Sequence, residues 1–162
     1  DAERERPIPR RPVMVEESFA AAWDRHQFTG RIDTVLVGDD GSVEIVDFKT
    51  SKRDSPSLRK PDESLQLFIY DHAYRERNQE RSPRVSFLAL RHDDDRAFET
   101  GATWDERQAR SHVHTDDSRK TLSAVIDTAI ARIAANAFEP TPSYATCKSC
   151  AWQWICPAAA WE

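Results

Sequence analysis

Three residues in the stretch GRIDTVLVGDDGSVEIVDFKTS, residues 30–51, are of types that do chemistry together: Asp33, Asp47 and Lys49. The stretch reads as two mostly apolar strands joined at a turn, and each of the three falls on a strand. Side chains alternate across a strand, so Val43, Ile45, Asp47 and Lys49 share one face, and Asp33 shares a face with Val35 and Val37. A three-residue loop, Asp39-Asp40-Gly41 with Gly41 left-handed, pairs Val37 with Val43, Val35 with Ile45 and Asp33 with Asp47. The two carboxylates then have Cβ atoms about 4.5–5.5 Å apart. A two-residue Asp40-Gly41 loop would oppose Asp47 with Thr34 instead.

Two partly buried carboxylates that close stay ionised together only with a cation between them. A hard divalent ion such as Mg²⁺ or Mn²⁺ accepts carboxylate and carbonyl oxygens and fills that place. Lys49 lies roughly 6–7 Å further along the same face. Its ammonium can orient an activated water or stabilise charge developing on a phosphate oxygen. An Asp/Lys ion pair capping the end of a sheet is the plainer reading of Asp-x-Lys alone. The aligned Asp33 and the basic residues after Lys49 favour a site.

The elements that must position these residues follow from periodicity. Residues 1–12 are charged and Pro-rich and read as extended, and a short strand covers Val13 to Phe19. The hairpin occupies 27–38 and 42–49, and residues 50–61 read as a loop. A helix follows over PDESLQLFIYDHAYRER, with Asp62 as N-cap and Leu65, Phe68, Ile69 and Ala73 as its apolar stripe. RVSFLAL (84–90) is a strand, with a weaker one over Phe98 to Trp104. A second helix runs from about Asp117 to Ala137, striped by Leu122, Val125, Ile126, Ala129, Ile130 and Ile133. This order predicts an α/β fold, a mixed β-sheet flanked by helices, with a Cys-rich C-terminal tail. The division expected is a core over 1–138 and a tail over 139–162.

At 162 residues, 39% apolar and 31% charged, the chain can bury one sizeable core. No apolar run approaches the roughly 18 residues of a membrane span, and no secretory signal pattern is present. The net charge of −5 argues against a nucleic-acid-coating protein, but RERPIPRR and KTSKRDSPSLRK are locally basic. All three cysteines, Cys147, Cys150 and Cys156, lie in CKSCAWQWIC, a spacing that reads as a metal or cluster site before disulfides, with zinc among the candidates. RHDDDR (91–96) and the HVH of 112–114 are read as polar turn and loop. Trp152, Trp154 and Trp161 could stack on bases, although packing of the tail accounts for the first two.

Taken together, GRIDTV, EIVDFKTSK and LQLFIY resemble the PD-(D/E)xK nuclease superfamily, most of all its RecB-like domains at the C-terminus of bacterial helicase–nuclease subunits. The match in order and spacing runs over residues 13 to 156, and it implies a restriction-endonuclease-like fold and metal-dependent hydrolysis of DNA. By that resemblance Asp33, Asp47 and the carbonyl of Phe48 would bind Mg²⁺ or Mn²⁺, Lys49 would be catalytic, and Gln66 and Tyr70 would line the site. Glu16, in VEESF, matches a family glutamate near the site, with Glu17 adjacent to it. Lys52 and Arg53 would contact DNA.

Cys147, Cys150 and Cys156 match three of the four ligands of a [4Fe–4S] cluster in such domains, where the cluster pins the chain's ends together. The family's upstream His ligand and fourth Cys have no counterpart here, so either a segment before Asp1 carries them or the site is incomplete. The resemblance further implies a fused or associated helicase, a role in DNA repair or recombination, and a bacterial cytoplasmic, nucleoid-associated location. A non-catalytic DNA-binding scaffold and a stand-alone exonuclease of the CRISPR-adaptation type are the alternatives.

Overall fold

The computed structural model describes residues 10–52, 60–78, 83–91 and 111–160. They form strands β1 (Arg10–Trp23), β2 (His26–Gly38), β3 (Val43–Lys52), β4 (Arg84–Arg91) and β5 (Ser111–His112), with helices α1 (Leu65–Asn78), α2 (Asp116–Ala134) and α3 (Tyr144–Cys147). The sheet order is β1-β2-β3-β4-β5. β1, β2 and β3 pair antiparallel, β3 and β4 pair parallel, and β5 returns antiparallel on β4. A parallel pair cannot be joined by a tight turn, and α1 supplies the crossover between β3 and β4. The expected α/β fold, a restriction-endonuclease-like mixed sheet with helices, is therefore present. Among the described residues no helix is long and apolar enough to cross a membrane.

The β2–β3 turn has the expected form. Gly41 N–H donates to Gly38 O at 2.9 Å and Gly38 N–H to Ser42 O at 2.8 Å. Gly41 sits at φ +75°, a value that glycine adopts without penalty. Asp40 Oδ1 accepts the Ser42 N–H at 2.9 Å, which fastens the loop, and Ser42, through its side chain first and its backbone second, lowers the Asp40 carboxyl. The register follows, with Val37 opposite Val43 and Val35 opposite Ile45.

Several elements run differently from the sequence pattern. β1 is 14 residues long and extends well beyond Val13–Phe19, because β2 pairs with it along its length. β3 continues to Lys52, so Thr50, Ser51 and Lys52 belong to a strand where a loop was expected; Lys52 is held opposite Arg91 of β4. Asp62 is not the cap of α1. Pro61–Glu63 form a 3₁₀ turn, and Ser64 is extended with its Oγ accepting the Leu67 N–H at 3.2 Å. Proline suits that first turn, and the serine after it supplies the cap.

Thr115 caps α2, its Oγ1 taking the Ser118 N–H at 3.2 Å. The helix stops three residues before Ala137 because Asn136 turns left-handed at φ 57° and Ala137 N–H reaches back to Arg132 O at 2.9 Å. Its apolar stripe is only partly covered: Leu122 and Ile126 are buried, whereas Val125 and Ile133 are 47% and 61% exposed. The expected strand over Phe98–Trp104 and most of RHDDDR lie outside the described residues.

The chain divides into two compact units, Asp1–Leu122 and Ser123–Glu162. The core of the first joins Ile32, Val35, Ile45, Val85 and Phe87 of the sheet to Leu67, Tyr70 and Tyr74, which lie along one face of α1. Met14, Phe19 and Val43 pack against it. The far end of the β1–β2 hairpin is tied to α1 by polar contacts. The Ala22 N–H donates to Glu76 Oε2 at 2.9 Å, and His72 Nε2 meets Ala22 O at 2.7 Å, so this nitrogen carries the proton.

His114 is another departure. It lies in the loop after β5, as expected, yet it is 1% exposed, edge-on to Phe68 and 4.8 Å from the His112 ring. Burial pushes it down to about 4, with His112 and Arg119 adding to the effect. A histidine lowered from 6.5 to about 4 stays neutral in the fold while the unfolded chain takes up a proton. Stability is therefore lost as pH falls from about 6.5 to about 4, by roughly 3 kcal/mol once both limits are passed. Urea unfolding across that range should show the loss, and His114→Phe should flatten the curve.

Candidate active site

β3 delivers Asp47, Phe48 and Lys49 from the middle of the sheet, between an antiparallel and a parallel neighbour. Asp47 is 2% exposed, and its Oδ2 stands 2.6 Å from the Lys49 ammonium. Burial raises the Asp47 carboxyl, and this ion pair opposes the rise. The Lys49 Nζ also donates to Gln66 Oε1 at 2.7 Å and lies 5.4 Å from the centre of the Phe87 ring. Thus an ammonium with a side chain about one-third exposed is held from three sides.

Gln66 is the hub. Its Nε2 donates to Asp47 Oδ1 at 2.8 Å and to the Tyr70 hydroxyl at 2.9 Å. The ammonium can only donate and a carboxylate accepts, so the amide has one orientation that satisfies both. Gln66 and Tyr70 stand one turn apart at the start of α1, and the Ser64 cap sets where that turn begins.

Tyr70 is fixed in turn by an edge-to-face contact with Phe19, ring centres 5.9 Å apart. The Phe19 ring lies over Gly30, where an added Cβ would come within 2.8 Å of its Cζ. Gly30, the first residue of GRID, is therefore the space that lets Phe19 lie flat and support Tyr70.

Asp33 reaches the same place by a different route from a simple cross-strand pair. The β2–β3 ladder ends at Thr34 opposite Val46, one step short of Asp33 and Asp47. Beyond it, Asp33 Oδ2 accepts the Phe48 N–H at 2.8 Å and bridges the strands in place of a backbone bond. Asp33 still bears on its neighbours: its charge helps to raise both the Asp47 carboxyl and the Tyr70 hydroxyl. For both groups burial is the main cause of the rise, opposed at Asp47 by Lys49 and at Tyr70 by Gln66 and, more weakly, by Arg31.

The donor set suits a hard divalent cation. Two carboxylates of like charge act on one another, and one of them, Asp47, is buried. Among the described residues no group of three or more His, Cys, Asp or Glu could hold a metal. The protein's share at this site would be Asp33, Asp47 and the Phe48 carbonyl, which is in keeping with an ion that retains several waters.

Five of the expected site residues, Asp33, Asp47, Lys49, Gln66 and Tyr70, are brought together with the backbone of Phe48. Glu16 turns elsewhere, to an exposed ion pair with Arg31 at 2.8 Å, while Glu17 pairs with Arg77 of α1 at 2.8 Å. Lys52 ends β3, and Arg53 lies outside the described residues. Cys147, Cys150 and Cys156 are free thiols in the second unit, respectively buried, exposed and half-buried. Cys147 Sγ accepts the Ala160 N–H at 3.4 Å. Sequence reasoning missed Phe19, Phe87 and Arg31. The two aromatics carry no signal apart from ordinary core patterning, whereas Arg31 could have been noticed inside GRID.

The model of the PD-(D/E)XK nuclease superfamily matches residues 1–157. No curated protein matches. Among solved structures, the crystal structure of SSO0001 is 18% identical, with a TM-score of 0.45. The match covers 90% of this chain and 60% of that one.

The raised Asp47 carboxyl has a consequence for stability. Its ionised form is less well accommodated in the fold than in the unfolded chain. Its contribution therefore falls as pH climbs from the ordinary 3.8 through the raised value, and at neutral pH Asp47 is a net cost. Asp47→Asn, which keeps an acceptor for Gln66, should raise the melting temperature in EDTA at pH 7.5, by about 2–4 °C for each kcal/mol recovered. The shift should shrink at pH 4.

Proposed function

The chain belongs to the PD-(D/E)XK nuclease superfamily, and on that premise we propose that it is a Mg²⁺- or Mn²⁺-dependent deoxyribonuclease domain cutting phosphodiester bonds at the Asp33/Asp47/Lys49 site. The observation that carries this reading is the buried Asp47 locked to Lys49 through Gln66 beside a second carboxylate. Asp33, Asp47 and the Phe48 carbonyl would hold the cation. When bound, it supplies positive charge that offsets both the carboxylates and the phosphodiester.

The remaining work belongs to side chains already in place. Lys49, held by Asp47 and Gln66, offers its remaining proton to the attacking water or to a non-bridging phosphate oxygen, where negative charge grows. Gln66 keeps the ammonium from swinging away, since it is tied to Asp47 and Tyr70 as well. Asp47 has to remain ionised to serve, and Lys49 opposes the desolvation that would protonate it. Lys52 and Arg53 are proposed as phosphate contacts.

In finer detail we assign the chain to the RecB-like branch, working with a helicase in bacterial DNA repair or recombination. Cys147, Cys150 and Cys156 are read as three of the four ligands of a structural [4Fe–4S] cluster, with zinc as the alternative. Three thiolates leave one coordination position to be filled from elsewhere.

Two measurements test these statements. Asp47→Ala and Lys49→Ala should each lower Mg²⁺- or Mn²⁺-dependent DNA cleavage by at least about 100-fold; cutting retained by both would sink the assignment. Anaerobic reconstitution of residues 1–162 should give far less than one cluster per chain. Full loading through the three cysteines alone would contradict the need for a fourth ligand.

A further inference from the structure

β1 and β2 both turn over at the same step, and that step contains Asp33. On β1, Met14 and Phe19 pack against the one core cluster although five positions separate them, and strict alternation would send them to opposite faces. On β2 their partners are Val35 and Gly30, and Val35 and Ile32 are both members of that cluster at an odd spacing. The change of phase is therefore confined to a few residues on each strand.

The pairing shows where. Val15 pairs with Thr34 and Glu17 with Ile32, while Glu16 and Asp33, opposite each other in the count, are skipped. At that position Glu16 has φ 52°, a left-handed conformation that glycine adopts freely and Asn tolerates far better than other L-residues. Its side chain is directed to Arg31, and the two are 53% and 64% exposed.

We propose that Glu16 is a positioning residue that acts through its left-handed backbone. A regular strand counted from Ile32 would carry the Asp33 side chain to the face away from α1. The turn-over at Glu16 keeps Gly30 and Ile32 beneath α1 and also brings Asp33 to Phe48, beside Asp47. The role of Asp33 in binding a cation rests on the nuclease reading above; the placement of Asp33 does not. On this view the glutamate at position 16 is occupied by its conformation and by Arg31, and its carboxylate does no chemistry.

The hydrogen bond from Phe48 N–H to Asp33 gives a readout independent of metal and activity. Amide exchange at Phe48, followed by NMR, should be at least tenfold faster in Asp33→Ala than in the native chain, which calibrates the measurement. Glu16→Gly and Glu16→Asn should exchange within about threefold of the native chain. Glu16→Val, β-branched and averse to positive φ, should match Asp33→Ala. It should also lose DNA cleavage mainly in kcat.

Exchange in Glu16→Gly and Glu16→Asn as fast as in Asp33→Ala, with native circular dichroism, would overturn the proposal. So would slow exchange in Glu16→Val. If Glu16→Val does not fold, the Gly and Asn variants still decide. A native chain that cuts no DNA would count against the nuclease reading, and the exchange ranking would stand or fall separately.

Discussion

A carboxylate that is 2% exposed sets the terms for everything around it. Desolvation favours protonating Asp47, and the nearby charge of Asp33 pushes the same way. Lys49 pushes back, and Gln66 holds both partners in place. Each of these partners must be delivered with sub-ångström consistency by a different element, β2, β3 or α1. The sheet order serves that need: β3 is paired on both sides, and α1 packs on the sheet through Leu67, Tyr70 and Tyr74. A polar cluster so poorly hydrated is strong only while fully connected, and Gln66 is the atom-level junction that connects it.

Local rules are broken at two points beside the site. Gly30 interrupts a strand, a position that normally weakens a sheet, and the Phe19 ring fills the space left by its missing side chain. Glu16 takes a conformation that its own chemistry disfavours. By contrast, Asp71 is a buried carboxylate with a structural role: its 3.2 Å contact to Arg119 ties α1 to the first turns of α2. Both buried aspartates have raised carboxyls through desolvation, yet only Asp47 has a second carboxylate bearing on it. The like charge sets Asp47 apart from Asp71, whose charged neighbours Arg119, Arg75 and His72 all favour its ionised form.

Much of this could be read from residue order. The Asp39-Asp40-Gly41 loop and the register it imposes follow from one glycine at a position that calls for positive φ, and that register predicts that Asp33 and Asp47 approach. Alternation along β3 places Asp47 and Lys49 together, and helical spacing places Gln66 above Tyr70. The ladder's early end at Thr34 could not be read, because strand divergence depends on how the sheet twists against α1. The N-cap was mistaken since Asp62 and Ser64 are both good caps, and only the 3₁₀ turn that Pro61 starts decides between them. The stripe on α2 has ideal spacing, yet spacing records which face is apolar and not how much of it is covered.

Local sequence thus determined the identities and approximate neighbours of the candidate site residues, because turn type, strand alternation and helical period act over a few residues. The tertiary structure decided their connections: that Asp33 bonds to the Phe48 backbone, that Lys49 rests against Phe87, and that Glu16 answers to Arg31. It also revealed that Gly30 leaves room for an aromatic on the neighbouring strand. These contacts join residues that are far apart in the chain or change the phase of a strand. No pattern confined to one segment contains the partner that each of them requires.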